Sequence, residues 1–163
     1  MQFSNSLTKF EVYNLVIRRV FHCDAGRIFD AWTQPASLMR WWGPAGFTAP
    51  VCKIDLRVGG EYHCCTRSPQ GVEFWTKGIF REIIRPKKIV ATDSFCDAEG
   101  RIITPSSVGL SPSWPHTLLV IVTFAQRKDH TLVTIRHNGM PIQLARTCEE
   151  GWNETLDKLA GIL

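Results

Sequence analysis

Histidine is the side chain whose charge changes near neutral pH, and the chain holds five: His22, His63, His116, His130 and His137. His137 ends an alternating run, Thr131–His137, in which Val133 and Ile135 point inward and carry His137 with them. An inward imidazole beside a cavity can hydrogen-bond a ligand or move a proton; it can equally cap a backbone carbonyl. His63 alternates with Tyr62 and is expected outward, while His22 and His130 lie near turns. No H-x-x-x-H or C-x-x-C spacing occurs, so no metal centre is expected. G-x-S-x-G, the P-loop and G-x-G-x-x-G are missing too, so no catalytic nucleophile is assigned and no cofactor is implied. Asp93 and Asp97 flank a strand end and Glu149-Glu150 fall on a wet helix face, which is no pairing for glycosidic chemistry. Arg18 and Arg19 point to opposite faces of one strand. Whichever faces inward needs a carboxylate or an anionic ligand.

The six cysteines, Cys23, Cys52, Cys64, Cys65, Cys96 and Cys148, are expected as reduced thiols serving as small apolar residues. Met1–Phe10 lacks the apolar stretch of a secretory signal, and no apolar run approaches a membrane span, so a cytoplasmic location is expected. The net charge of +4 is scattered, which argues against a nucleic-acid stripe. With 163 residues, 44% hydrophobic and 21% charged, the chain fits one globular domain, expected over 13–163 behind a flexible leader, 1–12.

Periodicity shows what positions these groups. Tyr13–Phe21 is rich in β-branched and aromatic residues and reads as a strand. Asp24 offers an N-cap to a short helix with Ile28, Phe29, Ala31 and Trp32 on its apolar side. Pro35 opens a second helix carrying Leu38, Met39, Trp41 and Trp42. Period two follows through Val51–Leu56, Tyr62–Thr66, Glu73–Ile84, Lys88–Phe95, Thr117–Phe124 and Thr131–His137. The short links between these runs require antiparallel pairing. Asp97–Pro115, with three prolines, is a long loop whose bulky aromatic, Trp114, is a lid candidate. Leu144, Cys148, Trp152, Leu156, Leu159 and Leu163 mark one face of a helix over 141–163, and Gly151 suggests close approach of a strand.

This order, with Phe29-Asp30-Ala31-Trp32-Thr33-Gln34-Pro35, Trp41-Trp42-Gly43-Pro44, Asp55-Leu56-Arg57-Val58-Gly59-Gly60, Gly78-Ile79-Phe80-Arg81-Glu82-Ile83 and Gly151-Trp152, resembles the SRPBCC (START-like) superfamily. Within it the chain is similar to the activator-of-heat-shock-protein-ATPase-homologue-like family. The resemblance implies an α+β helix-grip fold: a curved antiparallel sheet of six to seven strands around a long C-terminal helix, with two short helices after the first strand. It also implies that Val20 and Arg18 face inward, Arg18 then being a possible anchor for an acidic ligand. Cys64 and Thr66 are smaller than the residues usual on their strand, which implies a larger, more polar pocket.

Where a bent sheet and a helix do not touch along their full length, a cavity remains. By alternation its walls are Tyr62, Cys64, Thr66, Phe74, Thr76, Phe80, Val120, Val122, Ile135, His137 and Cys148, with Trp32, Trp42, Trp114 and Trp152 closing the ends. The expected function is binding of a small apolar or aromatic molecule. One alternative is a polyketide cyclase/dehydratase-like enzyme using His137 or Tyr62 for proton transfer. The other is a co-chaperone-like module that meets a chaperone partner through its outer face. Edge-strand pairing would allow a homodimer.

Overall fold

The computed structural model describes residues 11–163. The first ten residues of the expected leader lie outside them, and Val12 already belongs to the first strand, β1 (Val12–Phe21). Helix α1 (Ala25–Thr33) starts where the Asp24 carboxylate accepts the Arg27 N–H, and it buries Ile28, Phe29, Ala31 and Trp32. The second helix, α2, is shorter than its apolar pattern suggests: Pro35–Leu38, followed by turns that bring Trp41 and Trp42 round. Six strands follow: β2 (Thr48–Ile54), β3 (Glu61–Arg67), β4 (Glu73–Ile84), β5 (Lys88–Cys96), β6 (Leu118–Gln126) and β7 (Thr131–Pro141). All neighbours pair antiparallel in the order β1-β7-β6-β5-β4-β3-β2, so among the described residues only the β1–β7 contact joins strands distant in sequence.

The C-terminal helix α3 spans Ala145–Ala160, about 24 Å at 1.5 Å per residue. Its expected start at residue 141 is too early. Pro141 still pairs with Val12 at the end of β7, and Ile142–Leu144 form a 3-10 turn. Leu156 and Leu159 of α3 are fully buried against the concave face of the sheet, joining Leu15, Ile17, Phe29, Val133 and Ile135 in one core. This is the helix-grip arrangement. Gly151 does not serve close packing, because a Cβ there would meet nothing within 4 Å.

Two inward assignments on β1 are reversed. Leu15, Ile17 and Phe21 are buried, whereas Val20 and Arg18 are exposed. A strand's side chains alternate strictly, so burying Phe21 places Arg19 on the concave side. Arg19 there meets α3, donating to Asp157 Oδ1 at 2.7 Å and Asn153 Oδ1 at 3.1 Å. The inward guanidinium is thus a pin between strand and helix, and Arg18 is no ligand anchor.

The 97–115 segment is folded rather than loose. Asp97 accepts the backbone N–H groups of Glu99 and Arg101 and the Arg101 guanidinium, which holds its carboxyl below the usual range. Ile102 bridges back to Cys96, and Pro105–Val108 make a 3-10 turn. Among the described residues no helix is long and apolar enough to cross a membrane.

Candidate functional site

The concave face is apolar because the inward set of each central strand is apolar. Phe80 of β4, Ile89 and Ala91 of β5, and Val120 and Val122 of β6 form its floor. Trp32, Leu38 and Trp42 stand opposite, Ile54, Tyr62 and Cys64 close one side, and Trp152 of α3 closes the top. The helix seals against the sheet at Leu156 and Leu159, but Trp152, one turn earlier, is only half-buried. Between these groups lies a hollow that leaves about 80 Å³ for the centres of water-sized atoms. One water needs about 10–15 Å³ of such space, so the hollow suits a guest of one or two rings. Trp32 stacks on Trp152 with ring centres 6.4 Å apart, and Trp42 meets Trp152 edge-on at 5.6 Å.

One carboxylate breaks this apolar lining. Asp93 shares the inward parity of Ile89 and Ala91, and its Oδ1 accepts the Tyr62 hydroxyl at 2.7 Å. Tyr62 reaches it by lying across Gly78, its partner in the β3–β4 ladder. The Tyr62 oxygen also lies 3.1 Å from the Thr92 carbonyl. Burial, with Asp93 beside it, pushes the Tyr62 phenol well above its ordinary range. It therefore stays a neutral donor.

His137 stands on the other side of Asp93. Its Nδ1 accepts the Trp152 indole N–H at 3.2 Å. Indole nitrogen can only donate, so the ring proton of neutral His137 sits on Nε2. That nitrogen is buried without a hydrogen-bond partner among the described residues and lies 3.7 Å from Asp93 Oδ2, too far for a direct bond. Burial holds the imidazole below its ordinary pKa, although Asp93 pulls the other way. Cys148 Sγ lies 3.6 Å from His137 Nδ1, but burial and Asp93 push its thiol up to about 12. It is a protonated thiol and not an activated nucleophile.

The lowered His137 pKa has a sign consequence for stability. Below its ordinary value near 6.5 the unfolded chain takes up a proton that the folded protein refuses. The contribution is complete above pH 6.5 and is lost as pH falls toward the folded-state pKa. Urea unfolding at pH 7.5 and 5.5 should show a larger loss for wild type than for His137→Gln; equal losses would contradict it.

The expected site residues separate into groups. Trp32, Trp42, Tyr62, Cys64, Phe80, Val120, Val122 and Trp152 border the hollow. Thr66 and Cys148 border instead a shallow groove on the far side of Trp42 and Trp152. Phe74 packs on Phe47, and Trp114 packs edge-on against Phe95 at 6.3 Å, away from the hollow. Thr76 pairs with Cys64 and Phe95 in the sheet, and Ile135 is wholly buried core. His137 lies behind the lining and reaches it through Asp93. Asp93, Leu38, Ile54, Ile89 and Ala91 also border the hollow and are not among the expected walls. Counting by twos from Ile89 would have reached Asp93, whereas its charge drew attention to the strand end.

The cysteines depart from expectation at one pair. Cys52 and Cys64 face each other across the β2–β3 ladder with Cα atoms 4.2 Å apart, and they are joined as a disulfide. Directly opposed residues in an antiparallel ladder approach about this closely, and sequence spacing does not disclose that register. The sulfur of Cys64 is thereby part of the wall, and the polar character of the hollow comes from Asp93 instead.

Trp42 is held in place from α3. Lys158 Nζ donates to the carbonyls of Trp42, Gly43 and Phe47 at 3.3, 3.0 and 2.9 Å. Trp41, its fully buried neighbour, donates to the Ala31 carbonyl. Lys158→Met should cost about 1–3 kcal/mol, since three carbonyls lose a charged donor. Hydrogen exchange should then quicken across 42–47, and unchanged protection there would contradict the pin.

Comparison with known proteins places this geometry. A family model described as Activator of Hsp90 ATPase homolog 1-like protein matches residues 22–163. A protein of Mycobacterium smegmatis superposes with a TM-score of 0.77 at 20% identity, covering 94% of this chain and 95% of that one. A Chromobacterium violaceum protein gives 0.74 at 25% identity over 91% and 95%. The AHSA1 protein of Silicibacter pomeroyi gives 0.72 at 20% over 91% and 96%. No functionally curated protein matches. At these identities the structural likeness speaks for the fold, and the family model covers most of the sequence. The chain belongs to the Activator of Hsp90 ATPase homolog 1-like family.

Proposed function

We propose that the protein binds a small hydrophobic or aromatic molecule between the sheet and α3. The observation that carries this reading is the hollow itself, bounded by three tryptophans, Tyr62, Phe80 and aliphatic side chains, with a single carboxylate. Ligand sites have this composition: mostly apolar walls with a few polar groups that set orientation. Burying about 200 Å² of an aromatic guest supplies up to about 5 kcal/mol at 25 cal/mol per Å². The groove beyond Trp42 and Trp152 offers a way in.

Native mass spectrometry of the freshly purified protein tests the reading. A co-purified organic molecule that is lost from a variant with a filled hollow supports it. A bare chain that also takes up none of a panel of one- and two-ring compounds contradicts it.

The tyrosine, aspartate and histidine beside the hollow support a second reading, proton transfer on a bound, folded substrate of the cyclase kind. Turnover that disappears in His137→Ala while binding persists would favour it.

A further inference from the structure

We infer that the guest carries a hydroxyl group, seated between His137 Nε2 and Asp93 Oδ2. This inference deepens the binding reading and rests on it. Trp152 occupies Nδ1 of His137, so Nε2 presents an N–H that needs an acceptor, and it is buried without one among the described residues. Tyr62 occupies Asp93 Oδ1, whereas Oδ2 meets His137 only at 3.7 Å. The gap thus asks for one atom that accepts from a nitrogen and donates to a carboxylate. An oxygen about 2.8 Å from each completes a triangle on the 3.7 Å base.

A hydroxyl does both. An ammonium group cannot accept from Nε2–H, a carboxylate would be repelled by Asp93, and a hydrocarbon leaves both atoms unsatisfied. Tyr62 and Trp152 hold the two partners from behind. Nε2 is covered rather than open to the hollow, so the hydroxyl reaches it as the Asp93 and His137 side chains part slightly. The aromatic walls then make a phenol or naphthol the fitting class.

Calorimetric titration with 2-naphthol and 2-methylnaphthalene, alike in shape, isolates the hydroxyl. The alcohol should bind about tenfold more tightly or better. In His137→Phe and in Asp93→Leu the ratio of the two affinities should fall to about one, read within each variant. The wild-type ratio decides the matter even if a variant fails to fold. Equal affinities in wild type overturn the hydroxyl and leave the binding reading intact. A preference for 2-naphthylmethylammonium overturns it in favour of a cationic guest. Failure of every probe to bind overturns both readings together.

Discussion

Gly78→Ala is expected to destabilise the protein by about 3 kcal/mol or more and to dismantle the polar side of the hollow. A Cβ at this position would lie 1.8 Å from the Thr92 carbonyl oxygen and 2.3 Å from the Tyr62 ring. Neither can retreat cheaply. The carbonyl belongs to β5, which pairs with β4, and the ring is held by its bond to Asp93. The glycine is thus required by the crossing of an aromatic ring over the strand, and not by a turn. Tyr62→Phe keeps the ring and removes only the hydroxyl, so it should cost far less. Chemical denaturation of the two variants compares them. Equal stability of Gly78→Ala and wild type would show that Tyr62 does not lie across β4.

Ala91→Leu is expected to spare stability while weakening binding. In a filled interior, added methylenes force strain costing about 1–3 kcal/mol. Ala91 borders empty space between Phe80 and Val120, so the larger side chain should leave stability unchanged or raise it by about 1 kcal/mol. The affinity for a one- or two-ring probe should fall at least about tenfold, because the guest and the leucine compete for the same room. A marked drop in melting temperature would contradict a hollow at this position.

The architecture was legible because its strands alternate and its turns are short. The β4 boundaries follow directly from Glu73–Ile84, and the Asp24 cap from a carboxylate preceding an apolar helix face. The end of β7 was not legible, since helical spacing and strand pairing overlap around Pro141. On β3, β4 and β6 counting by twos reaches Tyr62, Cys64, Phe80, Val120 and Val122, which border the hollow. On β1 a run of valine, isoleucine and arginine fits both registers, and the inward Val20 and Arg18 implied by the resemblance are reversed by the register with β7. Alternation thus reaches five of the thirteen residues that line the hollow. The rest depends on how far a side chain stands from the line of closest approach of α3. That separates Val122 from Ile135 on the adjoining strand, although the two are paired. The Cys52–Cys64 link and the Tyr62–Asp93–His137 group arise from cross-strand register, which no local pattern contains.

The central claim is that an apolar guest occupies the space between α3 and the sheet. Isotope-filtered nuclear Overhauser spectra of the labelled protein with unlabelled 2-methylnaphthalene address it directly. The account predicts contacts from the guest to the Trp32 and Trp152 indoles and to the methyl groups of Ile89 and Val122. Contacts confined to Pro44, Thr66 and Thr155 in the outer groove, or none at all, would contradict it.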